Sequence, residues 1–269
     1  MKTISILNLK GGVGKTVTTV NMAAILAVER HLNVLVIDAD AQANASAFLG
    51  QPELPERTLA DIMLNGPDSV YEYINETNIP NVKCVPSSIN LLAADIASAK
   101  TTNSVNALRE FLDVIAADSE AAMSRGESPI LNCVLIDCPP SFTAASVAAI
   151  AASDEIIIPV KIDAFSLRGM RELLKQIDYV RQIRPNVKLR GVLITMWHNT
   201  PAVVQGEALL RDTGLKVFET HIRRSDKVVE STFARQPLEV YSRQSGAGRD
   251  YRRFVAEYFR ELDKEARHG

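Results

Sequence analysis

The stretch NLKGGVGKT, from Asn8 to Thr16, packs three glycines, two lysines and a threonine into nine residues. Gly11, Gly12 and Gly14 permit backbone torsions that side chains oppose. Amides turned inward in such a loop can surround phosphate oxygens. A helix beginning near Lys15 adds its free N-terminal amides and the positive end of its dipole. In that arrangement Lys15 reaches the β- and γ-phosphates of ATP, and the Thr16 hydroxyl ligates Mg2+. Leu9 stands where the strict pattern G-x-x-x-x-G-K-[ST] has its first glycine, and an extra lysine, Lys10, precedes the glycine pair. A glycine-rich turn alone is weak evidence. This one follows a strand-like run, precedes a helix-like run and carries the Lys-Thr pair. The nucleotide contacts expected from it are Lys10, Gly11, Gly12, Val13, Gly14, Lys15, Thr16 and Val17.

Carboxylates follow at two further points. In DADAQANAS, Asp38 and Asp40 lie two residues apart, so they share a face of an extended segment. They emerge at the C-terminal edge of a parallel sheet, where α/β folds place ligands. A solvated strand end is the plain alternative. In LIDCPP, Asp137 suits a Mg2+ contact, direct or through water. Pro139 and Pro140 stiffen the turn behind it, as a γ-phosphate sensor would need.

The elements that hold these residues are short apolar runs: Thr3 to Leu9, Leu32 to Asp40, Ile130 to Pro140, Glu155 to Val160 and Leu189 to Met196. Continuous apolar runs suit strands covered on both faces. Thr16 to Glu29, Phe142 to Ala152 and Leu167 to Arg184 read as helices between them. Such alternation predicts an α/β fold with a mostly parallel twisted sheet and helices on both faces. The middle, Gln51 to Gly126, is less regular. It contains a short helix near LADIML, a short strand ending at Pro86 and a helix from Asn103 to Ala117. SEAAMSRGESP, residues 119–129, reads as an exposed turn region. With no repeat or linker, residues 1–269 are expected to form one domain. In the last segment, Arg249 to Ala266, residues Tyr251, Phe254, Val255, Tyr258, Phe259 and Leu262 share one helical face. A docked terminal helix is the expected use of it.

The chain has 269 residues, 46% of them hydrophobic, and a formal net charge of -2. It is long enough for a substantial core and too apolar for global disorder. Cys84, Cys133 and Cys138 have no CxxC spacing, which argues against a disulfide framework or a structural zinc site. No signal-peptide pattern opens the chain and no run of 18 uncharged apolar residues occurs, so a soluble cytoplasmic protein is expected. Charge is uneven. Residues 38–80 carry eight acidic groups and one basic, whereas residues 221–253 carry eight basic and four acidic. Arg223, Arg224, Lys227, Arg235 and Arg243 are therefore candidates for DNA phosphates.

Taken together, KGGVGKT, DADAQANAS, VLIDCPP and HIRRSDKVVESTFARQPLEVY resemble the ParA/Soj-type partition ATPases of the MinD/ParA superfamily, which carry a deviant Walker A motif. The resemblance implies the P-loop NTPase fold, ATP and Mg2+ as cofactors and slow ATP hydrolysis. Lys10 matches the signature lysine that crosses a dimer interface to the partner's phosphates. Asp40 matches the carboxylate linked to water activation, Asp38 its companion near the metal, and Asp137 and Pro139 the switch behind the γ-phosphate. The implied catalytic set is Lys10, Lys15 and Asp40, and the implied metal set is Thr16, Asp38 and Asp137. The resemblance also implies an ATP-state homodimer, non-specific double-stranded DNA, a ParB-like centromere-binding partner and a nucleoid-associated location, with no stable membrane association. The alternative is a MinD-like or ParA-like ATPase that positions a non-DNA cargo or a division component. An iron-protein-type reductase is disfavoured, because Cys84 and Cys138 do not fall where two cluster ligands belong. Ala41 departs from the family's D-x-D-P-Q, and Arg223 and Ser225 depart from its I-P-R-N, which leaves base recognition to be located. Thr195 to Asn199 is a further candidate for it.

Overall fold

The computed structural model describes residues 1–66, 68–98, 103–163, 171, 174–175, 178–179, 181–182 and 185–268. Among them, seven strands form one sheet: β1 (Lys2–Ile6), β2 (Val34–Asp38), β3 (Asn75–Glu76), β4 (Val82–Val85), β5 (Cys133–Asp137), β6 (Glu155–Lys161) and β7 (Lys188–Thr195). Their order is β3-β4-β2-β5-β1-β6-β7. Every neighbouring pair is parallel except β3 with β4, which is antiparallel at the edge. The two-residue β3 is too short to leave a period-2 pattern in the sequence.

Alternation along each strand divides the core between two faces, because successive side chains point to opposite sides of a sheet. On one face Leu35, Ile37, Val134, Ile136, Ile156 and Ile158 pack with helices α3 (Leu59–Asn65), α4 (Leu91–Ser98), α5 (Asn103–Ser124) and α6 (Ala144–Ala152). On the other, Ile4, Ile6, Val34, Val36, Leu135 and Ile157 pack with α1 (Lys15–Arg30) and α2 (Asn44–Phe48). The mostly parallel sheet covered on both faces is thus present. Three further helices, α7 (Pro201–Arg211), α8 (Asp226–Phe233) and α9 (Leu238–Tyr241), precede the terminal α10 (Gly246–His268).

Helix α10 docks as its pattern implies. Tyr251, Phe254, Val255 and Tyr258 are buried, with Phe259 and Leu262 packed beside them. Phe254 meets Phe218 edge-on at 4.9 Å between ring centres, and the Tyr258 hydroxyl donates to Glu155 Oε2 at 2.7 Å. One expectation fails. The exposed turn expected over 119–129 begins later, because α5 runs on to Ser124 with Ser119 and Ala122 buried. The turn itself is set at Gly126, where φ is 77°. Most of the helix expected from Leu167 to Arg184 lies outside the described residues. No helix among the described residues is long and apolar enough to cross a membrane.

Candidate nucleotide site

The glycine-rich loop joins the C-terminal end of β1 to α1, at the sheet edge where parallel strands present ligands. Its mouth is fixed by short contacts. Asn8 Nδ2 donates to Pro159 O at 2.7 Å, and Lys10 N donates to Asn8 Oδ1 at 2.9 Å. Gly12 and Gly14 take φ of 69° and 85°, the left-handed region that favours glycine. Thr195, at the end of β7, backs the loop with a 2.8 Å hydrogen bond to Val13 O.

Two lysines leave this loop in different states. Lys15 is only 7% exposed, and its ammonium donates to Lys10 O at 3.1 Å. Burial holds its pKa below the usual lysine value, while the charge of Asp137 works against that fall. Lys10 stays on the half-buried rim, in an ion pair with Asp163.

The carboxylates sit beneath the loop. Asp38 and Asp137 end the adjacent strands β2 and β5 and are partners in register. The Thr16 hydroxyl donates to Asp137 Oδ2 at 2.7 Å, and Thr19 Oγ1 donates to Asp137 Oδ1 at 3.1 Å. Asp38 accepts from Ser46 N at 2.7 Å, Ser46 Oγ at 2.8 Å and Asp40 N at 3.1 Å. Burial, then the charge of Asp38, pushes the Asp137 carboxyl up to about 8. Burial raises Asp38 to about 6, against the pull of the Ser46 hydrogen bonds. A buried carboxyl pair beside a phosphate loop needs a nearby cation before both members can ionise. Hard oxygen donors from Thr16 and Asp137 at that place fit Mg2+, which binds through one or two carboxylates plus phosphates. The observed bond between Thr16 and Asp137 brings those two expected ligands together. Asp38 is close by but commits its oxygens to Ser46 and Asp40.

Asp40 differs from Asp38 in facing the open cleft. That cleft, of about 500 Å³, is walled by Gly11, Gly12 and Gly14 to Val17 of the loop, by Asp40 and Phe48, and by Pro140 and Met196, whereas the Val13 side chain is buried away from it. Pro139 itself is buried. A smaller cavity of about 170 Å³ shares Gly14, Val17 and Met196 with the cleft and is closed by residues 222–226 and Tyr251. Both segments considered for base recognition thus border the loop.

The five DNA candidates are not gathered on one free surface. Arg223 is held by both oxygens of Asp250, at 2.7 and 2.9 Å. Lys227 pairs with Glu230 at 2.6 Å, and Arg243 pairs with Glu29 at 2.6 Å and Glu239 at 2.7 Å. Arg224 borders the smaller cavity. Arg235 opens onto the nucleotide cleft itself. Sequence reasoning missed that position, and also Phe48, whereas Met196 falls in the segment Thr195 to Asn199 already considered for base recognition; the left-handed turn at Arg235, φ 50°, leaves no composition signal. Cys84, Cys133 and Cys138 are free and buried, as expected of core packing.

A phosphate loop at the end of β1, a threonine bonded to the carboxylate of β5 and a parallel sheet behind them define a P-loop ATPase. The AAA domain family (AAA_31) matches residues 1–190. The chromosome partitioning protein ParA of Caulobacter vibrioides is 31% identical over 275 residues, covering 99% of this chain and 97% of that protein. Among solved structures, the cobyrinic acid a,c-diamide synthase of Mycobacterium smegmatis with bound ATP analogue and magnesium has a TM-score of 0.82 at 24% identity, covering 97% of this chain and 95% of that one. Apo McdA of Cyanothece has a TM-score of 0.81 at 22% identity, with coverage of 96% and 99%. The chain belongs to the ParA/Soj/MinD superfamily of P-loop ATPases. It hydrolyses ATP.

Proposed function

We propose that this ATPase positions a cargo through an ATP-dependent switch between single and paired chains. The observation that carries this reading is the unequal placement of the two lysines. Lys15 is buried against Asp137 and serves the nucleotide of its own chain. Lys10 stands on the rim, held by a surface carboxylate that another anion can replace. Two triphosphates facing each other repel, and a lysine from each partner offsets that charge and the charge developing in phosphoryl transfer. Thr16 and Asp137 would hold Mg2+, which when bound would offset phosphate charge, and Asp38 ties the loop of residues 40–46 to that side of the site. Asp40, exposed to the cleft, orients the attacking water. Hydrolysis removes the charge that the paired state needs and releases the chains. The chain is expected to act as one domain over residues 1–269.

For the cargo, a protein assembly or division component is the better-supported reading. Arg223, Lys227 and Arg243 are already neutralised within the chain, and apo McdA shares the fold. Partition of DNA with a ParB-like partner is the second reading, carried by the full-length similarity to the Caulobacter ParA. An ATP-dependent gel shift on duplex DNA at low salt, beside co-sedimentation with anionic liposomes, separates a DNA-based role from a membrane-based one. Absence of ATP-dependent, salt-sensitive DNA binding in a competent ATP-bound pair would sink the partition reading; strong liposome binding would support a membrane-based positioning role.

A further inference from the structure

We propose that Arg235 is a nucleotide-contacting residue, its guanidinium closing the rim of the ATP cleft over the phosphate chain. The inference rests on the ATPase reading of that cleft and adds a residue to it. Helix α8 ends in a doubly hydrogen-bonded turn: Gln236 N donates to Ser231 O at 3.1 Å, and Arg235 N donates to Thr232 O at 3.2 Å. The residue between these bonds must take a left-handed backbone, and glycine is the usual occupant. Here that residue is Arg235, with φ of 50°. Its carbonyl is pinned by Asn78 Nδ2 at 3.1 Å. A strained backbone kept with a large side chain points to a use for that side chain.

The cleft supplies the use. Arg235 shares it with Lys15, Thr16 and Asp40. The other two cations of the site are engaged: Lys15 with Lys10 O, and Lys10 with Asp163. Arg235 is exposed and forms no ion pair with any described residue. A guanidinium matches phosphate oxygens two at a time and stays charged at all working pH values. As part of the cleft wall with Lys15, Thr16 and Asp40, it borders the space a bound triphosphate would fill. An arginine reaching out toward DNA would not need a position on the wall of this cleft.

The test compares the parental chain with Arg235→Gly and Arg235→Lys. Binding of a fluorescent mant-ATP with Mg2+, binding of a duplex DNA and the nucleotide-free melting temperature are all measured. Arg235→Gly is expected to weaken mant-ATP about tenfold, the scale of one charge-assisted hydrogen bond. Its nucleotide-free melting temperature should equal or exceed the parental value, by up to about 2 °C, because glycine relieves the turn. Arg235→Lys should recover only part of the affinity, because its ammonium keeps the charge but loses the bidentate geometry, while the strained backbone is retained. Affinity for mant-ATP within twofold of the parental value in Arg235→Gly overturns the proposal, whether or not DNA binding falls. A parental chain that fails to bind mant-ATP would instead overturn the ATPase reading, and this inference with it.

Discussion

The buried pair Asp38–Asp137 makes the nucleotide-free protein lose stability as pH rises through neutrality. Both carboxyls lie fully inside the fold, side by side in register at the ends of β2 and β5. The Asp137 carboxyl is pushed up to about 8 from 3.8, so the folded chain holds a proton that the unfolded chain has released. A group raised in this way contributes its stability in full below its unfolded pKa and loses it as pH climbs through the folded value. Between pH 6 and 8 the loss from Asp137 amounts to about 2 kcal/mol, or about 5 °C in melting temperature for a chain of this length. Asp38, raised only to about 6, gives up most of its share between pH 4 and 6. The assay is calorimetric melting in Mg2+-free buffer at steps from pH 5.5 to 8, for the parental chain and for Asp137→Asn. The amide cannot titrate but keeps an oxygen for the Thr16 hydroxyl, so its slope over pH 6–8 should be nearly flat. Adding Mg2+ and ATP at pH 7 should release up to about one proton per chain, because the ion takes the place of the proton. Parallel slopes in the two proteins, or a parental melting temperature that rises with pH, would refute the reasoning.

Asp163→Asn removes the carboxylate that holds Lys10 on the rim. A half-exposed pair is worth up to about 1 kcal/mol, so the ATP concentration for half-maximal pairing should fall by up to about fivefold in sedimentation velocity; a rise would reject the holding role. Asp40→Ala should still bind ATP and pair, with single-turnover hydrolysis slowed by at least about 100-fold; a parental rate would show that Asp40 does not orient water. Phe254→Ala deletes a fully buried ring packed on Phe218 and should cost about 3–5 kcal/mol in urea unfolding. A loss under about 1 kcal/mol would mean that α10 docks without that anchor.

Much of this structure could be read before any coordinates, for a physical reason. Strands covered on both faces must be apolar at every position, so VLVID and CVLID announce themselves. The phosphate loop is equally legible, because Gly12 and Gly14 have to adopt positive φ. Less legible were features set by tertiary position. The last turns of α5 carry Glu120 and Ser124 and look like a loop, yet burial of Ser119 and Ala122 keeps them helical. Asp38 and Asp40 share a motif, but the sequence does not say that Ser46 would occupy the first and leave the second facing the cleft. Nor does a count of arginines reveal that Arg223 spends its charge on Asp250 while Arg235 lines the cleft beside the phosphate loop.

In the proposed switch, Lys10 acts on the nucleotide of a partner chain. Sedimentation velocity of Lys10→Ala with Mg2+ and a non-hydrolysable ATP analogue tests it most directly, with mant-ATP affinity measured on the same sample. The account predicts affinity within a few-fold of the parental chain and a species that remains a monomer. A dimer forming at parental concentrations of analogue would contradict it.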